Sequence, residues 1–174
     1  MKLTVIRPSH AHSAYRIAAE TFIELAKKVG GAECVLITDL ESLPDDGSPV
    51  IVIGTDAVNH FTANAYFSRQ IDDFGIRYGT DNYRILSTDV NGRRMVFFAA
   101  GRPRAAIYAV YRYFEVFCGC RYFWDGDRLR ETALPLSGID LFESPRFEYR
   151  GLRYFAHRSL HRFQAEHWSL PDWE

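Results

Sequence analysis

The Asn91-Gly92 dipeptide constrains the fold of this chain more than any other feature of the sequence. It separates two segments, 81–89 and 93–100, in which apolar and polar residues alternate. Asn-Gly between alternating segments is the strongest short signal for a β-hairpin, because both residues tolerate the positive φ angles of a type I′ turn. The sequence therefore predicts an antiparallel strand pair and argues against a purely parallel, doubly wound sheet.

Strands and helices alternate along the rest of the chain. Residues 10–29 are predicted to form a helix, because apolar side chains recur at three- and four-residue steps and Gly30-Gly31 follows. Residues 50–53 are uniformly apolar and β-branched, which is typical of a central strand. Further strands are predicted at 2–7, 34–38, 121–124 and 134–142, with partial helix over 56–72. The predicted buried face of the first helix comprises Ile17, Ala18, Thr21, Phe22, Leu25, Ala26 and Val29.

A second long helix is predicted to begin near Pro103 and to end before Gly119. Proline suits the first turn of a helix, where its missing N–H has no partner to lose, and glycine suits the position after the last turn. Its predicted buried stripe is Ile107, Val110, Tyr111, Phe114 and Phe117. The elements together predict an α/β (α+β) fold, in which a mixed, partly antiparallel sheet packs with two or three helices in two or three layers.

Composition limits the classes of function. The chain has 174 residues, 47% hydrophobic content and a net charge of −1, which fits one domain with no overall field for nucleic acid or an anionic membrane. No apolar run is long enough to span a bilayer. The first apolar run ends at Pro8 and is too short for a secretory signal. A signal could have been removed before residue 1, so the compartment stays open, and a secreted or periplasmic parent protein is included.

The three cysteines predict neither a disulfide framework nor a structural metal. Their number is odd, and Cys118-Gly119-Cys120 has neither redox nor zinc spacing. We expect two small residues packed at a helix end, and no metal or cofactor.

The organisation of the chain changes near Glu143-Ser144-Pro145. Beyond it, arginines alternate with aromatic residues, and no lysine follows Lys28. We therefore predict an α/β domain over residues 1–145 and a separate segment over 146–174.

Two segments resemble parts of glycan-cleaving enzymes. Gly101-Arg102-Pro103-Arg104-Ala105-Ala106-Ile107-Tyr108-Ala109-Val110-Tyr111-Arg112 is similar to a helix start in the accessory domain of alpha-glucuronidases and beta-hexosaminidases, although Ala105 stands where glycine is often found. Phe117-Cys118-Gly119-Cys120, followed by Trp124 and Gly126, more closely resembles the N-terminal domain of alpha-N-acetylglucosaminidases. Tyr149-Arg150, Arg153-Tyr154 and the residues 168–174 resemble the crossing from that domain into a (β/α)8 barrel.

The resemblance implies a hexosaminidase-like, non-catalytic domain followed by the start of a truncated catalytic barrel. The implied partners are the barrel of the same polypeptide and the glycan substrate of the parent enzyme, which would cleave terminal alpha-linked N-acetylglucosamine or glucuronic acid. The paired carboxylates of such enzymes lie in the barrel, so we name no catalytic residue. Asp125, Asp127, Glu166 and Asp172 are more simply explained as turn, cap or solvated carboxylates.

Four residues of the last segment, Arg153, His157, Arg158 and His161, are candidates for the rim of a substrate cleft. An arginine there would hold a substrate carboxylate through two parallel hydrogen bonds. The competing interpretation is that these residues contact the barrel or lie disordered, and an exposed aromatic segment also predicts a dimer through this region. The two histidines have the i, i+4 spacing of zinc ligands, but Arg158 follows the first, where zinc proteases have glutamate.

A second functional class stays open, namely a free-standing module that binds a carbohydrate or an anion at its strand-to-helix loops. His10 and His12 lie in the first such loop, and Gly54-Thr55-Asp56 forms another. A helix N-terminus can bind an anion there, with Ser9 or Ser13 as the expected N-cap. Neither loop carries a glycine-rich phosphate fingerprint.

Overall fold

The computed structural model describes residues 1–123 and 125–146. These residues form six strands and three helices in a single mixed sheet with helices on both faces. The strands are β1 (Lys2–Arg7), β2 (Glu33–Thr38), β3 (Val50–Ile53), β4 (Tyr83–Val90), β5 (Arg93–Ala100) and β6 (Asp140–Glu143). The helices are α1 (Ser13–Gly30), α2 (His60–Phe67) and α3 (Pro103–Cys118). The predicted fold class is confirmed.

The sheet has the strand order β2-β1-β3-β5-β4-β6. The first four strands of that order run parallel to one another, and β4 pairs antiparallel with both β5 and β6. The predicted hairpin is confirmed, because Asn91 (φ 52°) and Gly92 (φ 76°) both adopt the left-handed backbone that a type I′ turn needs. The central position predicted for residues 50–53 is also confirmed, since all four side chains are fully buried.

The larger core lies between the sheet and the pair α1 and α3. Its centre is an aromatic cluster in which Phe22 of α1 meets Phe98 of β5, Tyr113 and Phe114 at ring-centroid distances of 5.6, 5.8 and 5.4 Å. Edge-to-face aromatic pairs add to the stability gained from burial alone. Three alanines of α3, at positions 105, 106 and 109, are fully buried and allow the helix to approach the sheet closely.

A smaller core covers the opposite face of the sheet. Alternate residues of the central strands point there, and Ala65 of α2 with Ile71 and Phe74 from the following loop covers them. The central strands of the sheet are therefore buried on both sides, as is typical of parallel strands.

Several sequence-based expectations need correction. Tyr111 was expected in the buried stripe of α3, but it is 39% exposed, and Tyr113 is fully buried in its place. Arg121, Tyr122 and Phe123 form no strand; Arg121 makes only an isolated bridge with Arg128. The last predicted strand, 134–142, is shortened to β6. The helix predicted within 56–72 is limited to α2. The N-cap of α1 is His12, whose Nδ1 accepts the Ala14 N–H at 3.1 Å, rather than Ser9 or Ser13.

Candidate functional site: the carboxyl edge of the sheet

The candidate rim residues Arg153, His157, Arg158 and His161 lie outside the described residues, as do Glu166 and Asp172. Within the described residues, the candidate site is the edge of the sheet at which β1, β2, β3, β5 and β6 all end. Ligands of open α/β sheets bind at this edge, above all where successive strands are added on opposite sides. Here that point lies between β1 and β3, because β2 flanks β1 on its other side.

The crevice between β1 and β3 is filled by the chain itself. Gly54 has φ 116°, and a Cβ added to it would lie 2.9 Å from Cγ2 of Val58 and 3.2 Å from Cγ of Pro8. The Thr62 hydroxyl of α2 donates to the Gly54 carbonyl at 3.0 Å. The glycine after β3 thus serves a close approach of two loops, rather than leaving room for a phosphate.

Asp39 connects the loops that follow the three neighbouring parallel strands. It is 6% exposed, and its carboxylate accepts the backbone N–H of Ser9 at 2.7 Å and that of His60 at 3.0 Å. Burial by itself would raise its pKa, but the hydrogen bonds from His60 and Ser9 outweigh burial, and the pKa is lowered. The carboxylate occupies the position at the start of α2 where an external anion would bind, and this weighs against anion binding there.

The histidines of the first loop have a structural role in part. His12 caps α1 through Nδ1, which must be unprotonated to accept a hydrogen bond, while His10 is exposed. Within residues 1–123 and 125–146, no three His, Cys, Asp or Glu side chains are grouped to hold a metal ion.

At the other end of the same edge, Gly101 packs directly against the loop 77–82. A Cβ at Gly101 would lie 2.4 Å from the carbonyl oxygen of Arg77 and 2.6 Å from that of Thr80. Gly101 also donates its N–H to the Asn82 carbonyl and accepts from the Gly79 N–H, each at 2.9 Å. Only glycine fits here, which explains the first residue of the segment that resembles the accessory domains.

Arg104, on the first turn of α3, holds the same loop. Its Nε and Nη2 donate to Oδ1 and Oδ2 of Asp81, each at 2.8 Å, and Asp81 is 6% exposed. This two-point pairing of a guanidinium with a buried carboxylate fixes both distance and orientation. The glycine, proline and second arginine of Gly101-Arg102-Pro103-Arg104 therefore all position the loop or begin the helix.

Glu143 ends β6 beside this loop. Arg112 of α3 donates from Nε to its Oε1 at 2.8 Å, and the Tyr83 hydroxyl donates to its Oε2. A cavity of about 420 Å³ lies next to these groups and is lined by residues 77–82 and 144–146. The chain thus leaves the sheet at a rigidly held point that borders a concave surface.

Sequence reasoning missed Asp39, Asp81 and Glu143. A signal existed for Asp39, because it directly follows a predicted strand and parallel strands end at one edge. Asp81 and Glu143 carried no such signal, since their partners Arg104 and Arg112 lie 23 and 31 residues away.

No protein-family model matches this chain, and no curated protein matches its sequence. Among the described helices, none is long and apolar enough to cross a membrane.

Proposed function

We propose that this chain is the non-catalytic, hexosaminidase-like N-terminal domain of a glycoside hydrolase that cleaves terminal alpha-linked N-acetylglucosamine or glucuronic acid. In this proposal, residues 1–145 form the accessory domain, and 146–174 connect it to a catalytic (β/α)8 barrel, with Arg153, His157, Arg158 and His161 at the rim of the substrate cleft. The partners are that barrel and the glycan substrate.

The observation that carries the proposal is the anchoring of Glu143 by Arg112 and Tyr83. A domain whose task is to support a following domain needs a fixed exit for the chain, and β6 ends at one. The exit lies beside the loop 77–82, which Gly101 and Arg104 hold in place.

The chemistry of the edge carboxylates also favours a structural role. A glycosidase needs two carboxyl groups that face a common substrate position, one to protonate the leaving group and one to act as nucleophile or base. Asp39, Asp81 and Glu143 instead each accept hydrogen bonds from their own chain. Their engagement supports a domain that lacks the catalytic pair.

The test compares the 174-residue chain with the longest polypeptide that its reading frame encodes. Both are assayed for release of nitrophenol from 4-nitrophenyl alpha-N-acetylglucosaminide and from 4-nitrophenyl alpha-glucuronide. We expect the longer polypeptide to hydrolyse one of the two substrates and the 174-residue chain to hydrolyse neither. Hydrolysis by the 174-residue chain alone would contradict the proposal, and so would a longer polypeptide that is inactive on both.

A further inference from the structure

A groove at the C-terminal end of α2 exposes two adjacent aromatic side chains. Phe67, the last residue of α2, is 77% exposed, and Tyr66 is 38% exposed. Their ring centroids are 5.6 Å apart at an interplanar angle of 64°, so the two rings pack edge to face. Exposed aromatic rings contribute nothing to the core, and apolar surface rimmed by polar residues is characteristic of binding grooves.

The groove beside these rings has a volume of about 590 Å³, within the range of small-molecule sites. Besides Tyr66 and Phe67 it is lined by Arg69, Ile71, Asp72 and Asp73. Asp73 uses Oδ1 to accept the Gly75 N–H at 3.0 Å. Within the described residues, no hydrogen bond from the chain reaches the second oxygen of Asp73 or the Asp72 carboxylate, although both carboxylates interact electrostatically with Arg84 of β4. These oxygens are available to a ligand.

Arg69 stands at a backbone position that glycine would normally occupy. Its φ is 58°, and its N–H and that of Gln70 close the end of α2 on the carbonyls of Tyr66 and Ala65, each at 2.9 Å. Glycine is preferred in this left-handed position after a helix, because a Cβ strains it. Backbone strain of this kind concentrates at ligand sites. The Arg69 side chain therefore carries a conformational cost, and it adds a cation to the rim of the groove.

We propose that this groove binds a neutral saccharide. A sugar ring presents C–H bonds to an aromatic face, while its neighbouring hydroxyl groups match the two-point geometry of a guanidinium or a carboxylate. Phe67 and Tyr66 supply the apolar platform, and Arg69, Asp72 and Asp73 supply the polar rim. The lining carries one positive and two negative side chains, and the nearby Arg84 is itself paired with Asp140. The groove therefore keeps a net negative charge, which disfavours acidic sugars.

A macromolecular partner fits the groove less well than a small ligand. Six residues line it, whereas a stable protein interface uses roughly 20–30 residues on each side.

The groove also lies away from the carboxyl edge, because Gln70 Nε2 donates to Oδ1 of Asn91 in the hairpin turn at 2.6 Å. The inference is thus independent of the proposed accessory role, and either can fail alone.

The test is a titration of the full ¹⁵N-labelled chain with cellotetraose, with the tetramer of N-acetylglucosamine, and with glucuronic acid as an acidic comparison. We expect at least one neutral tetrasaccharide to give saturable shifts of the amides of residues 66–73, with a Kd of about 1 mM or tighter, and glucuronic acid to give none. Phe67→Ser should weaken binding at least tenfold. Phe142→Ser, which removes another exposed aromatic ring on β6, should leave binding unchanged.

Arg69→Gly separates binding from folding, because the two effects have opposite directions. Glycine relieves the strained backbone and should raise the Tm, whereas loss of the guanidinium should weaken saccharide binding. The proposal is overturned if neither tetrasaccharide gives saturable shifts, or if Phe67→Ser binds as well as the unchanged chain. It is also overturned if the chain dimerises in ultracentrifugation and Phe67→Ser abolishes the dimer, since the groove would then be an interface between copies.

Discussion

Arg112 of α3 and Glu143 of β6 join the last strand of the sheet to the helix that covers it, with Nε 2.8 Å from Oε1. The pair matters because β6 is short and only half-buried, so apolar packing contributes little to holding it. The second carboxylate oxygen of Glu143 accepts a hydrogen bond from the Tyr83 hydroxyl of the neighbouring strand. Charge-assisted hydrogen bonds therefore reinforce the backbone pairing of β6 with β4 at the end of the sheet.

Replacing Glu143 with glutamine should destabilise the fold by about 1–2 kcal/mol, because the charge-assisted hydrogen bonds to Arg112 and Tyr83 are weakened. Amide exchange should accelerate first in β6. Urea unfolding and hydrogen exchange measure the two effects. Glu115→Gln is the matched control, since Glu115 pairs with Arg112 within one helix, and it should cost no more than about 0.5 kcal/mol. Equal losses in the two variants would show that Glu143 anchors nothing.

Gly101→Ala should lower stability by at least about 2 kcal/mol, because the new methyl group would press on the carbonyl oxygens of Arg77 and Thr80. Gly30→Ala makes a useful comparison, because there the added Cβ meets the side chain of Leu134 rather than backbone carbonyl oxygens. We expect the smaller loss at Gly30 in thermal unfolding. A Gly101 variant as stable as the unchanged chain contradicts the close approach.

Asp39→Asn should reduce stability at neutral pH, because a neutral amide accepts the Ser9 and His60 N–H groups less strongly than a carboxylate does. The pKa of Asp39 in the folded chain lies below its ordinary value of 3.8. Its contribution is therefore fully present above that ordinary value and is lost as the pH falls through the lowered one. The difference between the two proteins, followed by unfolding at several pH values, should shrink in acid. Asp45→Asn, at an exposed turn, is the matched control and should leave the free energy of unfolding at neutral pH unchanged.

Tyr113→Phe should cost about 1 kcal/mol, because the buried hydroxyl donates to the Pro135 carbonyl at 2.5 Å. Burial, the main cause, raises the pKa of this phenol, so it stays a donor in any ordinary buffer. Tyr111→Phe alters a more exposed ring on the same helix and should be nearly neutral. Chemical unfolding measures the stability loss of each variant. A larger loss for Tyr111→Phe than for Tyr113→Phe would contradict the burial of Tyr113 in the core.

The hairpin and the central strand were predictable because their signals are local. Asn91-Gly92 specifies its own backbone, and four β-branched residues at 50–53 can only be buried on both sides. The buried face of α3 was predicted less well, since large apolar residues were counted and small ones were not. The buried alanines at positions 105, 106 and 109 define the face of α3 that packs on the sheet. Tyr113 lies on that face and is buried, whereas Tyr111 does not.

The aromatic run after α3 was wrongly predicted as a strand for a related reason. Gly119 turns the chain with φ 74°, and the Cys120 N–H closes the helix on the Phe114 carbonyl at 3.0 Å. Within the described part of the chain, Arg121 then pairs its backbone with Arg128 alone. Strand formation depends on a neighbour with free hydrogen-bonding groups, and the sequence of the segment itself carries no information about that neighbour.

The ion pairs of Asp81 and Glu143 at the carboxyl edge were not predictable from one sequence. Both residues look like surface carboxylates in the chain, and each becomes a structural acceptor only when distant segments meet. For the same reason the groove at Tyr66 and Phe67 has no motif, because its polar rim comes from the loop that follows the helix.

The proposal that this domain precedes a catalytic barrel is tested most directly by sequencing the gene past the codon for Glu174. We expect an open frame that continues for at least the roughly 250 residues of a (β/α)8 barrel, with strands and helices in alternation and acidic residues at strand ends. A stop codon immediately after Glu174 would contradict it.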